Sequence, residues 1–182
     1  MESKPDRYSS IAIILHWTVA LLILVQFSLG WYMVDLPKGT ERSDLFALHK
    51  SIGLSILLLA SVRLVWRLTH NLPPLPTTMP RWQRELALHT HIMLYLLLFL
   101  QPLSGYLSSS FSGYKTSFFG IPLPHWGWKD LVLNELFTAL HVVSSITLLL
   151  LIIAHTLGAL LHALTPEDHV FRRMLPLKDW LG

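Results

Sequence analysis

The chain has 182 residues, of which 52% are hydrophobic and only 14% are charged, and its mean hydropathy is +0.49. Soluble domains carry about a quarter charged residues, so this composition predicts a membrane protein and argues against a soluble globular domain. The formal net charge is +3, and the chain contains no cysteine, which excludes disulfides, iron–sulfur clusters, thiolate-bound zinc and covalently attached haem.

Four apolar stretches are each long enough for a helix that crosses a bilayer, which takes roughly 20 residues. They predict helices at 11–34, 46–66, 86–107 and 136–164. The first is too long for the apolar part of a signal peptide and lacks a small-residue cleavage site, so we expect a permanent helix. A proline-rich link follows the second helix, and a longer loop with several aromatic residues spans 108–135. The predicted fold is an all-α, integral membrane, four-helix up-down bundle.

The placement of lysine and arginine predicts the orientation. Nine of these residues fall on the side that holds both termini and five on the other, and an excess of positive charge marks the cytoplasmic side. Both termini should therefore be cytoplasmic. The nine are Lys4, Arg7, Arg63, Arg67, Arg81, Arg84, Arg172, Arg173 and Lys178, and the five are Lys38, Arg42, Lys50, Lys115 and Lys129.

Six histidines fall inside the predicted helices. A single buried histidine could serve only as an interhelical hydrogen bond, but six together favour a functional site, because polar groups in lipid are costly. They are His16, His49, His91, His141, His155 and His162.

The spacing of these histidines predicts two pairs. His141 and His155 are 14 residues apart, which returns to within roughly 40° of the same helix face with a rise of about 21 Å. His16 matches the depth of His155 near the cytoplasmic side, and His49 matches the depth of His141 near the periplasmic side. Paired imidazoles without mid-span carboxylates suit the two axial positions of haem iron better than a bare metal ion, and such ligation favours electron transfer.

Other residues are candidates around these pairs. His91 shares the depth of His16 and competes with it for the iron opposite His155, whereas His162 could line a quinone site. Arg63 and Lys50 are candidate partners of haem propionates, with snorkelling to the interface as the equal alternative. Gly30 would admit a flat macrocycle or simply close helix packing. We assign no catalytic residue.

Several short motifs resemble those of the bacterial cytochrome b561 family, which includes a membrane-bound superoxide oxidase. Their order and spacing along the whole chain carry the resemblance. They are Arg7-Tyr8, Leu15-His16-Trp17, Leu48-His49-Lys50-Ser51-Ile52-Gly53, Arg63-Leu64-Val65-Trp66-Arg67, His91 with Tyr95, Ser104-Gly105-Tyr106, Leu140-His141, His155, His162 and 168–174.

The resemblance implies a di-haem b protein of the bacterial inner membrane, with axial ligands at His16, His49, His141 and His155. It also implies that His162 lies near ubiquinone and that electrons pass from periplasmic superoxide to ubiquinone. The expected partners are therefore membrane lipid, quinone and superoxide, and no nucleic acid; the oligomeric state is left open. Positive charge near the outer haem would favour superoxide oxidation, although acidic residues on the same side nearly offset it.

Two other functions compete with this hypothesis. One is a membrane-anchor cytochrome b subunit that passes electrons to or from a partner dehydrogenase or hydrogenase, although the short loops offer little docking surface. The other is a haem-free bundle that moves metal ions or protons, for which buried carboxylates would be expected.

Overall fold

The computed structural model describes residues 7–76, 79–164 and 170–175. Four helices dominate it, and each is long and apolar enough to cross a membrane. Their bounds are α1 (Ser10–Asp35), α2 (Thr40–Thr69), α3 (Arg81–Ser112) and α4 (Leu131–Ala163). Lys4, Asp168, His169 and Lys178, which entered the sequence predictions, lie outside the described residues.

The four predicted helices are confirmed, and three of them extend several residues beyond the predicted apolar stretches. Hydropathy marks only the part of a helix that crosses the hydrocarbon, whereas α2, α3 and α4 continue into polar sequence. The helix α3 continues to Ser112 and ends at Gly113, whose φ of 82° is the left-handed conformation of a helix C-terminus. The helix α4 begins directly after Asp130, whose carboxylate accepts a hydrogen bond of 3.0 Å from the Leu133 amide. The predicted 108–135 loop is therefore shorter than expected.

Within the described residues, the extensive helix contacts join consecutive helices: α1 packs on α2, α2 on α3, and α3 on α4. A small apolar core of Val19, Ile56, Ala60 and Leu98 fills the centre. Many other large apolar side chains face outward, as expected where lipid rather than water is the solvent. The helices α1 and α4 are not among these closely packed pairs, and the His16 and His155 rings face each other across the seam between them.

The loop between α3 and α4 contains a two-stranded hairpin that was not predicted. Strands β1 (Ser117–Phe118) and β2 (Ile121–Pro122) pair antiparallel through a turn in which Phe119 and Gly120 both have positive φ. The Phe119 amide donates a hydrogen bond of 3.0 Å to the Ser51 hydroxyl, so the hairpin is tied to α2. The hairpin is small, and the fold remains all-α.

Both described ends of the chain lie on the same side of the bundle. The Arg7 guanidinium donates to the Leu175 carbonyl at 2.8 Å, and the Trp17 indole donates to the Met174 carbonyl at 2.8 Å. A short 3-10 turn, Arg172–Met174, carries these acceptors across the helix ends. Four crossings bring the chain back to the side where it started, as the up-down prediction requires.

Candidate functional site

The first histidine pair joins the first and last helices near the two chain ends. The ring of His16 on α1 lies 6.3 Å from the ring of His155 on α4, centroid to centroid, with 70° between the ring planes. His91 on α3 approaches the same His155 ring more closely, at 5.3 Å. The structure thus brings three predicted histidines together at this end, with His155 in the middle.

The second pair lies at the hairpin end of the bundle. The ring of His49 on α2 is 6.2 Å from the ring of His141 on α4, and the two planes are inclined by 74°. Since His141 and His155 share α4, the two pairs are separated along that helix by about 21 Å. The structure therefore brings together both pairs that depth matching predicted.

These separations can be compared with what one iron atom would require. Two bonds of about 2 Å to imidazole nitrogen, plus roughly 1 Å from each nitrogen to its ring centre, place the centroids about 6 Å apart. The His16–His155 and His49–His141 distances fit this value. The His91–His155 distance falls about 1 Å short of it, so His91 is the poorer partner for His155.

The ring of His141 is held by α3. Its Nδ1 lies 2.8 Å from the Gln101 main-chain carbonyl, which leaves Nε2 as the nitrogen available to a ligand. The Ser104 hydroxyl lies 3.3 Å from Nδ1, and a Cβ added at Gly105 would lie only 2.9 Å from the ring. The Gln101 side-chain nitrogen is 3.2 Å from Nε2, so iron bound there would displace this amide.

Sequence analysis missed Gln101 and its counterpart beside His49, Gln26. The signal available was a glutamine inside each of two apolar stretches, where an amide needs hydrogen-bonding partners. The Gln26 amide donates to the His49 main-chain carbonyl at 2.8 Å. Gly30 lies at the edge of the same ring, where an added Cβ would stand 3.3 Å from His49 Cε1. The His49 ring therefore packs closely against Gly30, which is one reason for a glycine at this position.

Arg63 faces a cavity near the first pair. Its guanidinium donates a hydrogen bond of 3.0 Å to the Ala12 carbonyl on α1, and its charge lies within electrostatic range of His16 and His155. The cavity has a volume of about 210 Å³, and its lining includes Arg7, Arg63, Arg67, Tyr8, Tyr95 and Met174. No carboxylate among the described residues forms an ion pair with the three arginines. The arrangement suits an acidic ligand group, such as a carboxylate.

Lys50 lies beside the second pair and is partly buried. Its Nζ donates to the Ser109 hydroxyl at 2.8 Å, and Ser109 is 2.8 Å from the Thr116 hydroxyl in the loop before the hairpin. Within the part of the chain that the structure describes, no carboxylate pairs with Lys50. A cation on a hydroxyl network is therefore available to an anion at this end.

His162 lies in the last turn of α4 and is half-buried. It follows His155 by seven residues, about two helical turns closer to the end of the bundle. The structure thus places it at the same end as the first pair, where the sequence had suggested a quinone.

Comparison with known proteins gives a consistent result. The family description "prokaryotic cytochrome b561" matches residues 7–177. The chain is 33% identical to "Cytochrome b561 homolog 2" of Escherichia coli (strain K12), over 95% of this chain and 93% of that protein. It is 28% identical to "Cytochrome b561 homolog 1" of the same organism, over 94% of this chain and 98% of that protein. It is 29% identical to "Probable superoxide oxidase CybB" of Yersinia pestis, over 94% and 97%.

The family match covers nearly the whole chain and includes every histidine of the two pairs. The four long apolar helices agree with a bundle embedded in lipid. The chain belongs to the prokaryotic cytochrome b561 family, and it is accordingly a multi-pass protein of the bacterial inner membrane that carries b-type haem and transfers electrons across the bilayer.

Proposed function

We propose that the chain holds two b haems and carries electrons between a periplasmic donor and ubiquinone. His16 and His155 would ligate the cytoplasmic-side haem, and His49 and His141 the periplasmic-side haem. The observation that carries the proposal is the pair of imidazole separations, 6.3 and 6.2 Å, at opposite ends of one bundle. Each matches the spacing that a single iron between two imidazoles requires, about 6 Å.

The choice of His16 over His91 rests on this spacing. The His91 ring approaches the His155 ring to 5.3 Å, which is less than one iron between two imidazoles requires. His91 would therefore lie beside the inner haem without ligating it.

The arginines at this end support a place for the haem propionates. A carboxylate in the cavity would meet Arg63 and Arg67, and charge-assisted hydrogen bonds of this kind are stronger than neutral ones. Lys50 would serve the same purpose at the outer haem. When bound, haem iron supplies a one-electron couple, and ligation by two histidines leaves no open position for oxygen chemistry.

We further propose superoxide as the periplasmic donor. Two superoxide anions would each lose one electron to become O₂, and ubiquinone would gain two electrons and two protons to become the quinol. Lys50 supports this assignment, because its positive charge beside the outer pair attracts an anion to that end. The relative named as a probable superoxide oxidase is consistent with it at 29% identity. His162 at the opposite end would hydrogen-bond the quinone.

The ligand assignment is tested by haem content and absorbance spectra of purified protein, oxidised and reduced with dithionite. The wild type should contain two low-spin b haems per chain. His16→Ala and His49→Ala should each lose one, and the matched variant His91→Ala should keep both. Loss of a haem in His91→Ala but not in His16→Ala would contradict the proposed inner ligand.

The donor is tested separately, with enzymatically generated superoxide and protein in its oxidised state. Reduction of the haems that superoxide dismutase abolishes is expected, and added ubiquinone should then reoxidise them. If superoxide causes no reduction above background while dithionite reduces both haems, superoxide is not the donor, and the two-haem assignment is unaffected.

A further inference from the structure

Two buried polar atoms beside the outer pair have no hydrogen-bonding partner among the described residues. They are His49 Nδ1 and Gln26 Oε1. A buried polar atom without a partner costs roughly 1–3 kcal/mol, so two such atoms on residues that touch each other need an explanation.

The first atom becomes a donor once the ring acts as a ligand. A neutral imidazole that offers Nε2 to iron carries its proton on Nδ1. Metal-bound histidines almost always donate this second N–H to a carbonyl, a carboxylate or water. His141 already has such a partner, the Gln101 carbonyl at 2.8 Å. His49 has none.

The second atom, Gln26 Oε1, is a hydrogen-bond acceptor, and an acceptor is what the His49 Nδ1–H lacks. The nitrogen of the Gln26 amide is engaged, since it donates to the His49 carbonyl at 2.8 Å, whereas its oxygen is buried and unpaired. Two glycines leave the space that this amide and the His49 ring occupy. A Cβ added at Gly53 would stand 3.2 Å from Gln26 Nε2, and one added at Gly30 would stand 3.7 Å from His49 Nδ1.

We infer that Gln26 is a positioning residue for the outer haem, with Oε1 accepting the Nδ1 proton of His49 directly or through one buried water. This inference rests on the proposed ligation of iron by His49. The hydrogen bond would restrict rotation of the His49 ring and increase electron donation from the imidazole to the iron. Stronger donation favours ferric over ferrous iron, so Gln26 would lower the reduction potential of the outer haem.

The test is a redox titration of both haems in Gln26→Leu, Gln26→Glu and the control Ser28→Ala. Leucine removes the acceptor, so the outer potential should rise while the inner potential stays constant. A tenfold decrease in the preference of the outer haem for ferric over ferrous iron would raise its potential by about 59 mV. Glutamate keeps an acceptor oxygen and should hold the potential at or below the wild-type value. Ser28 is a suitable control because its hydroxyl bonds to Leu24 of its own helix, so both potentials should be unchanged.

The outcomes separate this inference from the proposed function. Wild-type protein with fewer than two b haems would refute the function. Two haems whose potentials are the same in wild type and Gln26→Leu would refute the role of Gln26. If leucine causes loss of the outer haem, retention by the glutamate variant supports the inference, and loss in both variants overturns it. Resonance Raman bands of the iron–imidazole bond should shift with leucine, and with glutamate they should stay in place or shift in the opposite direction.

Discussion

Replacing Gly105 by alanine would place a methyl group against the ring of His141. The added Cβ would stand 2.9 Å from Cε1 and 3.0 Å from Nδ1, whereas ordinary contact begins at 3.4 Å. The ring must therefore move by about 0.5 Å, which is the tolerance within which a functional site has to be held. His141 Nδ1 is hydrogen-bonded to the Gln101 main-chain carbonyl. Movement of the ring therefore weakens this hydrogen bond.

The size of the effect follows from two terms. Overpacking a tight contact costs about 1–3 kcal/mol, and a weakened hydrogen bond costs about 0.5–1.5 kcal/mol. Without haem the ring can turn away from the methyl group, whereas ligation holds it against this contact, so the cost falls on haem binding. A loss of about 2 kcal/mol, within this range, corresponds to a roughly 30-fold weaker affinity for the outer haem. The inner haem should be unaffected, because the three atoms nearest to a Cβ added at Gly105 all belong to His141 of the outer pair.

The assay is haem content per chain, followed by titration of haem into apoprotein. Gly105→Ala should retain the inner haem at full occupancy and the outer haem only partly, with a loss that excess haem reverses. Gly39→Ala is the control, since nothing lies within 4 Å of a Cβ added there. Two haems of wild-type affinity in Gly105→Ala would refute the view that this contact positions His141.

Three further predictions concern the charged and aromatic residues near the two sites. Arg63→Gln should lower the potential of the inner haem only, because removing a nearby positive charge favours ferric iron; a redox titration checks this, with the exposed Arg81→Gln as control. Lys50→Met should slow haem reduction by superoxide several-fold and flatten its salt dependence, whereas the exposed Lys38→Met should do neither; equal rates in stopped-flow measurements would contradict a steering role. Trp17→Phe removes one hydrogen bond to Met174, worth about 1 kcal/mol, so amide exchange at 170–175 should become several-fold faster; unchanged exchange would show that this bond does not hold the segment.

The helices and the histidine pairs could be predicted from the sequence, because both depend on regular geometry. Hydropathy identifies a crossing, and a rise of about 1.5 Å per residue gives each histidine a depth. The choice between His16 and His91 could not be predicted, since both share one depth and only the distances to His155 separate them. Depth along a helix does not specify which ring lies across the seam.

The hydrogen bonds of Gln26 and Gln101 could not be predicted, although both glutamines stand out in apolar stretches. Gln26 donates to the His49 main-chain carbonyl, the Gln101 main-chain carbonyl bonds to the His141 ring, and a main-chain partner leaves no mark in residue identity. The cavity beside Arg63 is lined by Arg7 and also by Met174, which the chain brings to that end only after four crossings. The full length of the helices could not be predicted for a similar reason, since polar turns beyond the hydrocarbon are stabilised by caps such as Asp130 rather than by hydropathy.

Helix α4 supplies one histidine to each pair, and of the four helices described it is the last to leave the ribosome. A nascent chain with only three helices in the bilayer contains His16 and His49 but neither His155 nor His141. Neither proposed site then has two ligands, so haem incorporation has to follow insertion of the whole bundle. The contact of His155 with both His16 and His91 gives the arriving helix a polar seam to enter. Assembly of this protein therefore ends with the same helix on which both sites depend.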